Sequence, residues 1–231
     1  MATFDERAKE WDTSDRIDRA AEVAAVIGQA MPMSDTERAI EVGAGTGLLG
    51  LQFASKLGEL VLTDPSTGML EVAAEKVRRQ GLRNVQTRRF DLTADKLPER
   101  FDLVISLLML HHVQDTPAAL RAMRALLAPG GRIAVADLDT EDGSFHTAEA
   151  EGIHHLGFDR GDLARLAEAA GFVDVAFRTA ATIEDEGRRY PLFLLTARAG
   201  ADAGSTDAGP AADTRAGTGV ASDASGDAAT G

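Results

Sequence analysis

Short apolar runs rich in β-branched residues alternate along the chain with longer segments whose apolar residues recur at helical spacing. The strand candidates are residues 38–42, 60–63, 85–88, 101–106, 132–137, 173–179 and 192–197. Helical patterns lie between most of them, for example over residues 48–57 and after Ser66. Because parallel strands need crossover connections, which are usually helices, this alternation predicts a doubly wound α/β fold with a mostly parallel sheet of about seven strands.

Composition changes near residue 200 and predicts two regions. Residues 200–231 consist mainly of Ala, Gly, Asp, Ser and Thr, and Val220 is their one large aliphatic residue. Such a segment buries too little apolar surface to offset the entropy that is lost on ordering. We therefore expect one folded domain over residues 1–199, followed by a disordered acidic tail over residues 200–231.

The charge balance and the absence of cysteine exclude several function classes. Lys and Arg number 24 against 37 Asp and Glu, which gives a net charge of −13, whereas nucleic acids and anionic membranes need clustered cations. Without cysteine, disulfides, Cys-ligated zinc and thiol catalysis are excluded. No apolar run approaches the roughly 20 residues that span a bilayer, and the charged N-terminus is unlike a signal peptide. We expect a cytoplasmic protein without nucleic-acid or membrane partners.

A glycine-rich loop follows the first predicted strand. Residues 41–47 read Glu-Val-Gly-Ala-Gly-Thr-Gly and lead into a helical pattern. Glycines at such a turn let the backbone bend tightly and approach a ligand closely. Residues 45–50 also match the dinucleotide fingerprint G-x-G-x-x-G. By itself the loop is compatible with a nucleotide-type ligand and with a plain strand-to-helix turn.

Three acidic residues stand at the ends of three successive predicted strands. Glu41 precedes the first glycine of the loop, Asp64 ends the second strand, and Asp91 follows the third. A carboxylate beside the loop repels a pyrophosphate and attracts a cation, and an acid at the end of the second strand can accept hydrogen bonds from ribose hydroxyls. Asp91 is placed to accept a hydrogen bond from an adenine amino group, and the sequence fits an ordinary turn residue at this position equally well. Together they predict a site for a nucleoside that carries positive charge.

In combination, these motifs resemble the class I S-adenosylmethionine-dependent methyltransferases, in particular the small-molecule group similar to the ubiquinone/menaquinone-biosynthesis methyltransferases. The resemblance rests on residues 41–47, Asp64, residues 90–92, and the strand 101–106 followed by Leu-His-His-Val at 110–113, and it covers about residues 4–199. It implies a Rossmann-like sheet whose last strand is antiparallel. It also implies S-adenosyl-L-methionine as the cofactor and a small-molecule methyl acceptor as the substrate.

The resemblance further implies a set of cofactor-binding residues. Asp64 would hold the ribose hydroxyls, and Trp11 belongs to a motif that resembles the family's N-terminal lid. The full set is Trp11, Glu41, Gly43, Ala44, Gly45, Gly47, Asp64, Pro65, Met69, Asp91, Leu92, Ser106 and Leu107.

All five histidines lie between residues 111 and 155. Histidine titrates near neutral pH, and methyl transfer to a hydroxyl, thiol or phenol requires a base. We expect His111, His112, His154 and His155 to orient or deprotonate the acceptor during a direct in-line displacement. A structural role and a metal site that includes Asp137 or Asp139 are the alternatives for these histidines, and we predict no metal.

Two other functions are compatible with parts of the sequence. A nicotinamide-dependent oxidoreductase would use the fingerprint at residues 45–50, but Glu41 and the short spacing to Asp64 weigh against it. A non-catalytic regulator would keep the nucleoside site, but the histidine cluster weighs against it.

Overall fold

The computed structural model describes residues 3–146 and 152–201. These residues form a seven-stranded sheet with the strand order β3-β2-β1-β4-β5-β7-β6. The strands are β1 (Arg38–Val42), β2 (Glu59–Asp64), β3 (Val85–Arg89), β4 (Phe101–Leu107), β5 (Leu127–Leu138), β6 (Phe172–Asp185) and β7 (Arg188–Ala199). The helices are α1 (Phe4–Arg7), α2 (Ser14–Ala30), α3 (Thr67–Gln80), α4 (Thr116–Leu126) and α5 (Arg160–Ala169).

The sheet is mostly parallel, and its last strand runs the other way. The pairs β1–β2, β2–β3, β1–β4 and β4–β5 are parallel, whereas β7 is antiparallel to both β5 and β6. This confirms the predicted Rossmann-like fold class. The strand order reverses between β1 and β4, and in such sheets ligands bind beyond the carboxyl ends of the strands at that crevice.

Alternating residues of the strands supply two hydrophobic cores, one on each face of the sheet. In β2, Leu60 and Leu62 belong to the core on the side of α2 and α3, while Val61 belongs to the core on the side of α4 and α5. Helices therefore cover both faces, which leaves the strand ends as the accessible edge of the sheet.

Helix α3 begins after Ser66, as the sequence predicts, and ends at Gly81. The Ser66 hydroxyl accepts a hydrogen bond from Met69 N–H at 3.1 Å, and Gly81 ends the helix in the left-handed conformation with φ 66°. The N-cap satisfies one orphan donor of the first turn, and the glycine adopts positive φ without steric cost.

The predicted helix over residues 48–57 is instead a 3-10 segment, Gly50–Lys56. At its start, Gly50 N–H donates to the Glu41 carboxyl at 3.0 Å rather than to a backbone carbonyl. Local periodicity could not reveal this contact, because its acceptor is on β1.

The last two strands are much longer than their predicted apolar centres. A turn at Glu186 and Gly187, with φ 46° and 76°, connects β6 to β7, and the pairing runs from Arg188 opposite Asp185 to Ala199 opposite Phe172. The residues near the turn are polar and belong to the strands because their backbones pair. They show no apolar pattern, so the sequence predicted only the apolar centres of the two strands.

The predicted tail over residues 200–231 lies almost entirely outside the described residues, which end at 201. The division of the chain into a domain and a tail stays a prediction. Over the described ranges 3–146 and 152–201, no helix is both long and apolar enough to span a bilayer.

Candidate functional site

Glu41 is a buried acid at the carboxyl end of β1, where it is 1% exposed. Burial raises the pKa of Glu41 to about 8. The neighbouring Asp64 adds to this rise, whereas the Gly50 N–H and Lys76 oppose it. At neutral pH the carboxyl is therefore mostly protonated, in contrast to the ionised group that the sequence argument assumed. A cation placed beside it would favour the carboxylate.

The glycine loop turns directly after β1, with Gly43 and Gly45 at φ 68° and 53°. A Cβ on Gly43 would lie 2.3 Å from Cγ of Met109, so the segment after β4 packs on this part of the loop. At Gly45, the atoms nearest to a Cβ would be Sδ of Met69 and Nε1 of Trp11, both 3.9 Å away. The loop backbone at Gly45 is therefore open to a ligand between these two side chains.

Asp64, at the end of β2, is bonded to the same loop. Its Oδ2 accepts a hydrogen bond from Gly45 N–H and its Oδ1 accepts one from Ser66 N–H, both at 2.8 Å. Partial burial is the largest cause of a raised pKa for this carboxyl, and the two N–H donors oppose it. Each carboxylate oxygen has a second lone pair, so two ligand hydroxyls can still be accepted.

The N-terminal segment closes over the loop through polar contacts at both of its ends. Asp5 accepts hydrogen bonds from the Ser66 hydroxyl at 2.7 Å and from Gly68 N–H at 2.6 Å. Asp12 accepts from the Thr46 hydroxyl at 2.5 Å and forms an ion pair with Lys76. The segment between these two acids therefore forms a lid that is attached to α3 and to the glycine loop.

A cavity of about 230 Å³ lies between this lid and the strand ends. The predicted residues on its wall are Trp11, Glu41, Gly43, Ala44, Gly45, Asp64, Pro65, Met69, Leu107 and His112. We call it the lid cavity. It brings nine of the predicted cofactor residues and one predicted histidine to the same space.

A second cavity of about 500 Å³ adjoins the first, and we call it the outer cavity. Asp91, Leu92 and His154 line it, and Gly43, Pro65, Met109 and His112 line both cavities. The Asp91 carboxylate accepts hydrogen bonds from the Thr93 N–H and hydroxyl at 2.8 and 2.7 Å, and chiefly the hydroxyl bond lowers its pKa. Asp91 is thus both a turn residue and a cavity residue.

Two predicted cofactor residues line neither cavity. Ser106 is fully buried and its hydroxyl donates to the Val42 carbonyl at 2.9 Å, so it joins β4 to β1. Gly47 lies against β2, where a Cβ would be 2.9 Å from Leu62 Cδ1. At the end of β4, Leu107 lines the lid cavity, whereas Ser106 does not.

Ten residues on the wall of the lid cavity were not predicted from the sequence. These ten residues are Phe4, Arg16, Arg19, Ala20, Thr46, Leu48, Leu49, Ser66, Leu108 and Met109, and the two arginines are charged. Arg16, Arg19 and Ala20 share one face of α2, since residues three and four apart are neighbours on a helix. That spacing was visible in the sequence, but nothing local could show which part of the molecule this face meets.

His111 is held beside the cavities rather than on their walls. It is 2% exposed, its Nδ1 lies 2.7 Å from Oδ1 of Asp137, and its backbone N–H donates to Oδ2 of the same carboxylate at 3.2 Å. Asp137 is fully buried in β5. Of the two acids considered for the histidines, Asp137 contacts one, whereas Asp139 forms a two-point ion pair with Arg160.

His112 is the predicted histidine that lines both cavities. Its Nδ1 donates to the Gly152 carbonyl at 2.9 Å, which leaves Nε2 as the acceptor of the neutral ring. Its ring centroid lies 4.1 Å from that of His111. Burial, followed by repulsion from His111, lowers the pKa of His112 to about 4, so the ring is neutral at physiological pH.

The remaining predicted histidines differ from each other. His154 is exposed and lines the outer cavity. His155 is tied to the start of α4, because its Nε2 lies 2.9 Å from the Val113 carbonyl and 3.1 Å from the Thr116 hydroxyl. These contacts fit the structural alternative for His155. Within residues 3–146 and 152–201, no three His, Asp or Glu side chains are grouped so that they could hold a metal ion.

Comparisons with known proteins find methyltransferases among the proteins that are similar to this chain. Residues 40–133 match the methyltransferase domain family. The ubiquinone/menaquinone biosynthesis C-methyltransferase UbiE of Idiomarina loihiensis is 34% identical over 104 residues, which are 42% of this chain and 41% of that protein. The chain therefore spans less than half the length of this curated relative.

Solved structures show the same fold. YcgJ from Bacillus subtilis superposes with a TM-score of 0.66 at 15% identity, covering 78% of this chain and 99% of that one. Phosphoethanolamine N-methyltransferase 2 of Haemonchus contortus, solved in complex with S-adenosyl-L-methionine, gives a TM-score of 0.66 at 17% identity over 87% of this chain and 60% of that one.

The sheet, its antiparallel last strand and the loop at the end of β1 define a Rossmann-like methyltransferase fold. Together with the match over residues 40–133, they make the chain similar to the class I S-adenosylmethionine-dependent methyltransferases. Over 104 residues it is similar to UbiE, as the sequence resemblance predicts.

Proposed function

We propose that this protein is an enzyme that transfers a methyl group from S-adenosyl-L-methionine to a small-molecule acceptor. The observation that carries the proposal is that Glu41, Asp64 and the glycine loop converge on one cavity beneath an N-terminal lid. The similarity to a C-methyltransferase of quinone biosynthesis supports a small-molecule acceptor.

The residues present fit this cofactor along its length. Asp64 has carboxylate lone pairs for two ribose hydroxyls, and the open backbone at Gly45 permits close approach of the ligand. Asp91 and Leu92 lie in the outer cavity, where they would frame the base. Because Gly43 and Pro65 line both cavities, one extended nucleoside ligand can reach from the outer cavity to Glu41.

The cofactor, when bound, supplies a methyl group on a sulfonium whose sulfur is a ready leaving group, which permits direct in-line displacement. The protein has to align the acceptor and exclude water. Phe4 and Trp11 form the apolar part of the lid, with ring centroids 5.6 Å apart. The lid therefore covers the reacting end with apolar surface.

Of the four predicted histidines, we propose that His112 contacts the methyl acceptor. It lines both cavities, and its neutral ring presents Nε2 as a hydrogen-bond acceptor that can orient the acceptor molecule. The Phe4 ring lies 5.7 Å from the His112 ring, centroid to centroid, so the lid reaches this side chain. His111, bonded to Asp137 and stacked near His112, is a positioning residue for that ring.

We expect the full chain to bind S-adenosylhomocysteine in a 1:1 ratio with a Kd between about 1 and 100 μM, in the range usual for enzyme ligands. Isothermal titration calorimetry measures it. A parallel fluorescence titration with NADH tests the oxidoreductase alternative, and we expect no NADH binding at millimolar concentration. Failure of S-adenosylhomocysteine to bind at that concentration would remove the proposed function.

Replacing His112 with alanine is expected to lower kcat about 100-fold while changing the Kd of S-adenosylhomocysteine less than threefold, because misplacing an acceptor by about 1 Å can cost a factor of 10². The assay is methyl transfer from labelled S-adenosyl-L-methionine to phenolic and quinol acceptors. Equal losses in kcat and in cofactor affinity would show that His112 holds the site together instead of acting on the acceptor.

A further inference from the structure

Lys76 of α3 is a buried cation to which the proposed function assigns no role. It is 9% exposed, its Nζ donates to the Thr46 carbonyl at 2.9 Å, and it forms an ion pair with Asp12. A charge removed from water is costly unless an opposite charge and hydrogen bonds replace the lost solvent. Because Asp12 belongs to the lid, Lys76 loses this counter-charge whenever the lid opens.

Both carboxylate oxygens of Asp12 are engaged at this end of the lid. Its Oδ1 accepts a hydrogen bond from the Thr46 hydroxyl at 2.5 Å, and its Oδ2 pairs with Lys76. The preceding residue, Trp11, lines the lid cavity, and the guanidinium carbon of Arg16 lies 4.1 Å from its ring centroid. The position of Trp11 over the cavity therefore depends on whether Asp12 stays on Lys76.

A second acid, Glu41, is influenced by the same cation. Burial is the largest cause that raises the pKa of Glu41, and the positive charge of Lys76 opposes that rise. Glu41 and Thr46 both line the lid cavity, so the Lys76 side chain approaches from α3 the same wall that Glu41 approaches from β1. Other charged side chains at this cavity are Asp64 from β2 and Arg16 and Arg19 from α2. Lys76 thus lies between an acid of the lid and an acid at the end of β1.

We propose that Lys76 is a positioning residue that exchanges its counter-charge between Asp12, when the lid is closed, and Glu41, when the lid is open. With the lid closed, Asp12 balances Lys76 and Glu41 keeps its proton. When the lid opens, Glu41 releases its proton to solvent and becomes the partner of Lys76. An ammonium group of an entering donor then replaces Lys76 at Glu41, which returns Lys76 to Asp12 and favours closure. This inference rests on the proposed function, because it concerns entry of the same cofactor.

Trp11 is the one tryptophan of the chain, so its fluorescence reports the position of the lid without any ligand. In the unliganded full-length protein, we expect the emission to shift to longer wavelength as the pH rises through about 8, the pKa of Glu41. The reason is that ionised Glu41 draws Lys76 away from Asp12 and opens the lid. Glu41→Gln does not ionise and should keep the short-wavelength emission at every pH.

Asp12→Asn keeps an acceptor oxygen for the Thr46 hydroxyl but removes the charge that pairs with Lys76. Its lid should be open already at about pH 6, with the long-wavelength emission and no further shift as the pH rises. Glu75→Gln is the matched control, since it changes an exposed acid of α3 that is bonded to Arg78, and it should show the native shift. Circular dichroism checks that each variant is folded.

Lys76→Met removes the cation that is exchanged, so its emission should not depend on pH. Constant emission of the native protein, or a pH-dependent shift that survives in Asp12→Asn or in Lys76→Met, would overturn the inference, because Glu41 would then act on Trp11 without this exchange. The measurement needs no cofactor. If the native protein showed the shift but did not bind S-adenosylhomocysteine, the proposed function would fail and the exchange at Lys76 would not.

Discussion

Replacing Asp64 with alanine is expected to weaken S-adenosylhomocysteine binding about 100-fold, or roughly 2.7 kcal/mol. The substitution removes the carboxylate that accepts from Gly45 and Ser66 N–H and that would accept from the ribose hydroxyls. Hydrogen bonds to a charged group contribute about 1.5–3 kcal/mol each, and relief of the buried charge offsets part of the loss. Calorimetry at 25 °C measures the change, and thermal unfolding confirms that the variant is folded.

Two matched variants sharpen this prediction. Asp64→Asn keeps one acceptor oxygen, so its affinity should fall between those of the native protein and of Asp64→Ala. Asp91→Ala should cost less than tenfold, because Asp91 would accept from a single adenine amino group whereas Asp64 would accept from two ribose hydroxyls. The ligand 5′-methylthioadenosine keeps the nucleoside and thioether of S-adenosylhomocysteine but lacks its amino-acid end. It contains the ribose and should therefore lose affinity in Asp64→Ala as well. A folded Asp64→Ala protein within threefold of native affinity would contradict the assignment of Asp64 to the ribose.

Binding of S-adenosylhomocysteine is expected to strengthen roughly 50-fold between pH 6 and pH 8, because the ligand ammonium favours ionised Glu41 and each pH unit below the pKa reduces that form about tenfold. The pKa of about 8 comes from burial, with Asp64 raising it and Gly50 N–H and Lys76 lowering it. Binding should therefore release a proton. Calorimetry in buffers with different ionisation enthalpies measures both the affinity and the proton.

Glu41→Gln is the matched control for this pH dependence, since its amide oxygen can still accept from Gly50 N–H while the side chain no longer titrates. The variant should bind S-adenosylhomocysteine with little pH dependence, and methylthioadenosine should show none with either protein. Because the folded pKa of Glu41 lies above its ordinary value of 4.5, the unliganded native protein should lose unfolding free energy relative to Glu41→Gln as the pH rises from about 5 to 8. A native affinity that stays flat with pH would contradict the role of Glu41.

The fold and the cofactor side of the site were predictable because their signals are local. The strand β1 was predicted with its observed bounds, and Ser66 caps α3 as expected. In a parallel sheet, the strand ends meet at one edge wherever the strands occur. Reading Glu41, Asp64 and Asp91 as strand-end residues was therefore enough to bring them to adjoining cavities.

The roles of the individual histidines could not be predicted from such local signals. His111 and His112 are adjacent in sequence, yet one is bonded to Asp137 on β5 and the other faces both cavities. His155 is tied to Val113 and Thr116, about forty residues earlier. Each role depends on a partner that is distant in the chain, and residue type alone carries no information about that partner.

The sequence by itself determined the order of strands and helices, the glycine loop and the acids at the strand ends, because backbone periodicity and turn chemistry act over a few residues. Only the tertiary structure decided that Glu41 is buried and mostly protonated, that His112 faces the cavities, and that Arg16 and Arg19 of α2 line the lid cavity. Burial and electrostatic environment are properties of the packed molecule, since they depend on which distant surfaces exclude water from a side chain.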